Sequence, residues 1–341
     1  MPEDLSDTHV DVWECALGFV DSQVLFTAED LGVFDCLADG PAPARQVAEA
    51  VNIPRESAER LLTMLCALGL CEKRDDGRFA NSDESSEKLV SSSPHYIGSM
   101  FHHLKEVLYP AWDNFEEILR QYGSKNGAPP GPPSEDVYSD EKSLRQFMQG
   151  MHSISYEAAR EFAEHAPELE NATRAIDLGG ATGAFLIALT QQFPELRGTV
   201  MDLPQVRPIA EGYFEEYDLS DRLDFHGGSF FEDPIPQGAD LYALGFILHD
   251  WDREAGSHLL EKIASAIEPN GWLIIGEYLL NEEKTGPLYV ARSDLNMMIA
   301  ARGRERTAGE YRDWISEFGF ELERIQRTSG GKNYLMARWR P

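Results

Sequence analysis

Residues 173–193 read TRAIDLGGATGAFLIALTQQF. A short apolar run enters the turn Asp177-Leu178-Gly179-Gly180-Ala181-Thr182-Gly183, and a run apolar at helical spacing leaves it. That is a strand, a glycine turn and a helix. Such a turn lets backbone N–H groups approach a ligand where no Cβ intrudes. Its glycines stand at 179, 180 and 183, so the G-x-G-x-x-G spacing of a dinucleotide fold fails. No Gly-Lys-Ser/Thr follows, so a Walker loop fails too. Asp202 ends the next apolar strand, GTVMDLP. Its separation from the turn is about the 20 residues at which a strand-end carboxylate accepts hydrogen bonds from ribose hydroxyls. Turn and carboxylate together fit an adenosine ligand without a pyrophosphate, and S-adenosylmethionine meets that description.

The alternation continues to the end of the chain. Strands are expected in RLDFHGG, ADLYALGFILHD and GWLIIGEYLL, with helices in QVRPIAEGYFEEY, REAGSHLLEKIASAI, around NMMIAA and in AGEYRDWISEFGF. Repeated β-α units imply a parallel sheet covered on both faces. The last two strands, FELERIQRT and KNYLMARW, are joined only by SGGK and must be antiparallel. The fold class is α/β, a Rossmann-like doubly wound sheet with an antiparallel last strand, over residues 171–341.

Two further regions precede it. Residues 1–95 read as a helical domain with a helix, a turn at Asn52-Ile53-Pro54, a longer helix ending near Gly69, and a hairpin with Asp76-Gly77 at its tip. That is a winged-helix outline. Its second helix balances arginine with glutamate, so it lacks the basic surface that reads DNA. Dimerisation is the expected role. Residues 96–170 read as a helical linker that helps form the acceptor pocket. They are interrupted by the loop GAPPGPPSED and closed by the helix SLRQFMQGMHSISYEAAREFAEH.

Composition narrows the function. The formal net charge of −29 opposes binding to nucleic acid and to anionic membranes. No apolar run approaches the roughly 18–20 residues of a membrane span, and the acidic start lacks a secretory n-region. A cytoplasmic protein is expected. Cys15, Cys36, Cys66 and Cys71 form no C-x-x-C pair, so reduced thiols rather than a zinc site or disulfides are expected.

His249, in His249-Asp250-Trp251-Asp252, leaves the fourth strand of the doubly wound unit. Ligands bind at the carboxyl ends of such strands, so His249 should face the cleft of Gly179 and Asp202. An imidazole there can serve as a general base near neutral pH. Glu277 ends the following strand and could hold the ring's tautomer. Glu305, in Gly303-Arg304-Glu305-Arg306-Thr307, reads by itself as a charged turn with Thr307 as a helix N-cap. No metal cluster is apparent.

These residues together resemble the plant-type small-molecule O-methyltransferases, which include caffeic acid and hydroxyindole O-methyltransferases, and most of all the acetylserotonin group and its bacterial relatives. The resemblance runs through LFTAEDLGVFDCL, ERLLTMLCALGL, FMQGM, DLGGATGA, MDLP, FFEDP, ILHDW, DLNMMIA and GRERT. It implies an S-adenosylmethionine-dependent enzyme of secondary metabolism, a homodimer joined through its N-terminal domain, needing no metal. It implies His249 as base with Glu277 and Glu305 flanking it. Implied cofactor positions are Gly179, Asp202, Leu203, Ser229, Phe230, Tyr138 and Ser155. Implied acceptor positions are Met151, Asn296 and Met297, to which the apolar helix face adds Phe147. The family's Gly-Asp-Phe-Phe is here Gly228-Ser229-Phe230-Phe231. The hydroxyindole enzymes' Arg and Gln are here Phe246 and Ala300, which argues against N-acetylserotonin as acceptor. The expected activity is methylation of a hydroxyl on a small aromatic metabolite. Two alternatives stand beside it: N- or C-methylation on the same fold, and a winged-helix DNA-binding regulator with a ligand-sensing domain.

Overall fold

A computed structural model describes residues 11–121, 140–301 and 303–340. Its contacts divide the chain into two units, residues 1–101 and 102–341.

In the first unit, Asp11 caps the helix Val12–Asp30 by accepting the Trp13 N–H at 2.8 Å. Helices Ala44–Ala50 and Arg55–Ala67 form the helix–turn–helix, with Asn52 between them at φ 54°. Gly69 ends the second at φ 74°, the left-handed conformation that glycine adopts without strain. Strands β1 (Cys71–Lys73) and β2 (Phe79–Asn81) make the antiparallel wing. Val33, Phe34, Val47, Ala58, Leu62 and Leu65 supply the buried core. The outward side of the first helix is apolar: Val12, Trp13 and Phe19 are exposed.

The second unit is built on a seven-stranded sheet. Its strands are β3 (Arg174–Leu178), β4 (Arg197–Asp202), β5 (Leu223–Gly227), β6 (Leu241–Gly245), β7 (Trp272–Glu277), β10 (Phe320–Arg327) and β11 (Asn333–Trp339). Their spatial order is β10-β11-β7-β6-β3-β4-β5. β3 to β7 are parallel, and β11 runs antiparallel between β7 and β10. β3, β6 and β7 are buried almost throughout because helices cover both faces. One core packs Phe162, Phe185, Leu186 and Tyr334; the other packs Leu259, Ile263, Trp314 and Leu335. The strand order reverses between β3 and β6, and in open α/β sheets ligands bind in the crevice beyond the carboxyl ends at such a point.

One expected strand is divided. GWLIIGEYLL continues past Glu277 only after a break at Tyr278, whose ring turns edge-on to Phe246 at 4.9 Å. The continuation, β8 (Leu279–Leu280), leaves the large sheet and pairs with β9 (Arg306–Thr307). That small sheet brings Glu305 alongside Glu277. Among the described residues no helix is long and apolar enough to cross a membrane.

Candidate active site

The glycine turn is built from backbone conformations that side chains resist. Gly179 and Gly183 have φ of 72° and 80°, and Ala181 follows at 50°. A Cβ on Gly179 would run into Ile247 Cδ1 and stand 3.3 Å from Phe230. Asp202 shapes the turn from the next strand. One carboxylate oxygen accepts the Ala181 N–H at 2.8 Å and the other the Leu203 N–H at 2.7 Å. Burial raises the Asp202 pKa to about 6, although these two N–H groups favour its anion. Each oxygen keeps lone-pair capacity for a diol. The residues therefore fit an adenosine ligand.

The segment beyond β5 closes one side of that cradle. Lys262 donates to the carbonyls of Phe230, Phe231 and Asp233 at 2.6, 3.2 and 2.7 Å. Ser229 is used locally: its hydroxyl oxygen accepts the N–H groups of Phe231 and Glu232, both at 3.3 Å. What it offers a ligand is its own proton. The Trp251 ring lies edge-on to Phe231 at 4.4 Å, so the His249 loop packs on this segment directly.

His249 sits in a tight turn, Leu248–Asp250, after β6. Two buried ions hold that turn. Glu277 Oε1 accepts the N–H groups of Ile247, Leu248 and His249 at 3.2, 3.0 and 3.4 Å. Arg306 donates to the carbonyls of Leu248 and Trp251 at 2.8 and 3.0 Å, and its guanidinium lies 4.5 Å from the Trp314 ring centroid. Gly303 lies against the His249 carbonyl so closely that any Cβ there would overlap it.

The imidazole is thereby aimed. Nδ1 lies 3.0 Å from Glu305 Oε1 and 3.4 Å from Glu277 Oε2. Glu305 is held in turn: Ser293 donates to its Oε1 at 2.7 Å, and its own N–H donates to Asp294 at 2.8 Å. When the ring is neutral, Glu305 as acceptor keeps the proton on Nδ1 and leaves the lone pair on Nε2, beside Asp250 at 3.6 Å. Ligand atoms of His249, Glu277 and Glu305 all lie within 4.8 Å of one another, a spacing a metal ion could also bridge. The hydrogen bonds just described already employ the imidazole nitrogen and one oxygen of each acid.

The electrostatics of the three are joined. Burial alone would depress the imidazole pKa, but the fields of Glu277, Glu305 and Asp250 outweigh it and raise it to about 10. Glu277 also moves up, to about 7, because full burial outweighs the attraction of the imidazolium. Both shifts mean that the folded site binds more protons than the unfolded chain. Its stabilising contribution is complete at acid pH and is lost as pH rises through 7 toward 10.

The positions expected to line the acceptor lie on two helices, with Ser155, expected at the cofactor, on the first of them. Phe147, Met151 and Ser155 fall at successive turns of Glu141–Glu164 and form one half-buried stripe. Asn296 and Met297, also half-buried, lie on Leu288–Ala300. Trp112 Nε1 donates to Asn296 Oδ1 at 3.1 Å, and the His103 ring lies 5.0 Å from Phe147. Among the described residues no hydrogen bond or ring contact joins the two helices' acceptor positions to each other. Tyr138 lies outside the described residues.

Several contributors were not singled out from sequence. Arg306 sits in the quoted GRERT segment, where a charged turn gives no sign of burial. His152 lies one turn after buried Met148, a spacing that could have exposed it. Its Nδ1 is 2.8 Å from Thr182 Oγ1, which ties this helix to the glycine turn, and its ring stacks on Tyr213 at 4.0 Å.

Comparison with known proteins agrees with this geometry. Residues 101–321 match the model of an O-methyltransferase domain and residues 13–91 that of an O-methyltransferase dimerisation domain. The chain belongs to the small-molecule O-methyltransferase family. It is an S-adenosylmethionine-dependent methyltransferase. It is 33% identical to the 3-hydroxy-5-methyl-1-naphthoate 3-O-methyltransferase of Streptomyces sahachiroi, over 95% of this chain and 93% of that one. It is 35% identical to the acetylserotonin O-methyltransferase of Bos taurus, over 95% and 96% of the two. The crystal structure of human N-acetylserotonin methyltransferase with S-adenosylmethionine superposes with a TM-score of 0.85 at 32% identity, covering 97% of this chain and 99% of that one.

Proposed function

We propose that this O-methyltransferase acts on the hydroxyl of a small hydroxyarene, with His249 as the base and Glu277 and Glu305 as the groups that orient it. The observation that carries this reading is the His249 Nδ1 contact to Glu305 at 3.0 Å beside Glu277, which leaves Nε2 directed away from both acids. Aromatic acceptors in the names of the Streptomyces and cattle relatives support the substrate class. When bound, S-adenosylmethionine supplies an activated methyl electrophile. Gly179, Asp202, Leu203, Ser229 and Phe230 would hold it, with Tyr138 and Ser155 as further positions.

The protein's own task is then proton removal and alignment. A phenol of pKa about 10 is a weak nucleophile at neutral pH. Nε2 of the neutral imidazole takes its proton, Glu305 and Glu277 stabilise the imidazolium, and Phe147, Met151 and Met297 wall the ring while Asn296 offers a polar contact; the raised His249 pKa places the rising limb of activity on the alkaline side. Labelled methyl from S-adenosylmethionine should appear as an O-methyl ether on members of a hydroxyarene panel. N- or C-methyl products, or none from protein that binds the cofactor, would overturn the reading.

Asp202 must be ionised to accept two hydroxyls. Its raised pKa predicts that S-adenosylhomocysteine affinity falls as pH drops through about 6. Asp202→Asn should bind more weakly at neutral pH and lose that dependence in calorimetric titration. An unchanged pH profile would remove Asp202 from the ribose site.

We also propose a homodimer formed through the first unit, on its dimerisation-domain match and the exposed Val12, Trp13 and Phe19. Light scattering should give twice the chain mass.

A further inference from the structure

Lys332 stands immediately before β11, whose first residue, Asn333, pairs with Glu277 at the carboxyl end of β7. It is only 4% exposed. Its stem runs over two strand-end glycines: a Cβ on Gly276 would stand 2.9 Å from its Cε, and one on Gly245 would stand 3.3 Å from Nζ. Gly245 and Gly276 thus clear a bed for a long cationic side chain at the rim of the crevice. The ammonium lies 3.8 Å from the Phe246 ring centroid, and the other neighbour of that ring is the imidazole of His249, stacked at 5.3 Å and 21°. Phe246 is held at φ 55°, a conformation rare for a bulky residue, so its placement between the two cations is enforced by its surroundings.

The ammonium has three donors and, among the described residues, no oxygen that accepts a hydrogen bond from it or pairs with it. Ring faces answer its charge but not its N–H groups. Asp177 and Glu277 act on it only through their fields, and burial lowers its pKa to about 8, which leaves it charged at neutral pH. A largely buried cation with open donors, whose ammonium is not among the fully enclosed polar atoms, is placed to receive an anion. The rim also limits which anion, because Asp177, Asp202, Glu277 and Glu305 are all buried there. These acids repel a doubly charged phosphate more strongly than a singly charged carboxylate, whose single charge one ammonium can answer.

We propose that Lys332 is the residue that receives a ligand carboxylate in this crevice. This rests on the reading of the crevice as the methyl-transfer site. The carboxylate has two sources: the amino-acid end of the cofactor, or an acid group on the acceptor ring.

Calorimetry on Lys332→Met and Lys332→Gln separates them. S-adenosylhomocysteine carries the carboxylate and 5′-methylthioadenosine does not. A loss of about tenfold or more for the first, with the second unchanged, assigns Lys332 to the cofactor. If both nucleosides bind as in wild type, 2-naphthol and 3-hydroxy-2-naphthoate are compared in the presence of S-adenosylhomocysteine. Loss of wild-type preference for the acid then assigns Lys332 to the acceptor. Lys332→Arg should recover most of the binding in either case, and serves as the folded reference should the uncharged variants melt early. Variants that match wild type in both comparisons, or that weaken both nucleosides equally, overturn the proposal. Failure of wild-type protein to bind either nucleoside would instead overturn the cofactor-site reading on which it rests.

Discussion

His249→Ala is expected to lower kcat by about 10²- to 10⁴-fold, the range that a positioned base contributes. S-adenosylhomocysteine should still bind at wild-type affinity, because Asp202, Leu203 and the glycine turn make their hydrogen bonds without the imidazole. The fold should survive as well. Glu277 would lose a cation, but its burial already favours uptake of a proton in its place. Single-turnover rates beside a binding titration make the check. Full activity in the variant would remove His249 as the base.

Glu277 carries the second large effect, and two substitutions divide it. Glu277→Ala leaves three buried N–H groups without an acceptor and the imidazolium with Glu305 as its remaining acid at Nδ1. Breaking a buried pair in this way costs about 3–5 kcal/mol, so the melting temperature should fall by many degrees and activity with it. Glu277→Gln keeps an oxygen for the same N–H groups and removes only the charge. The fold should then recover. The His249 pKa should drop because one of the fields that raise it is gone, and the rising limb of kcat/KM should move to lower pH. If the limb stays in place in a well-folded Glu277→Gln variant, Glu277 shapes the turn and does not tune the base.

The order of strands and helices in the doubly wound unit is legible because each carries its own period and the first turn its glycines. The antiparallel end was legible from the short link SGGK. Asp202 and His249 could be placed because a residue at a strand's carboxyl end has one direction to face. Glu305 was different. Its neighbours in sequence are charged, and only the pairing of Leu279 with Arg306 makes it a partner of Glu277. That pairing depends on a break at Tyr278 for which no glycine or proline gives a sign. Arg306 and Lys332 escaped for a related reason: a cation looks exposed until its distant neighbours are known. Ser229 stands where the family has a carboxylate, and its hydroxyl accepts two backbone N–H groups of its own turn. Local sequence shows which group is present but not which neighbours already occupy it.

The helix Leu288–Ala300 holds Ser293 one turn before Asn296 and Met297 on the same stripe. On the proposed reading it serves at once as a wall for the acceptor and as a tether for Glu305, through the Ser293 and Asp294 contacts. An acceptor of the wrong shape that displaces this helix also loosens the acid that aims His249. Selectivity in such an enzyme is expressed in turnover as much as in affinity, and a poor substrate can bind well and still react slowly.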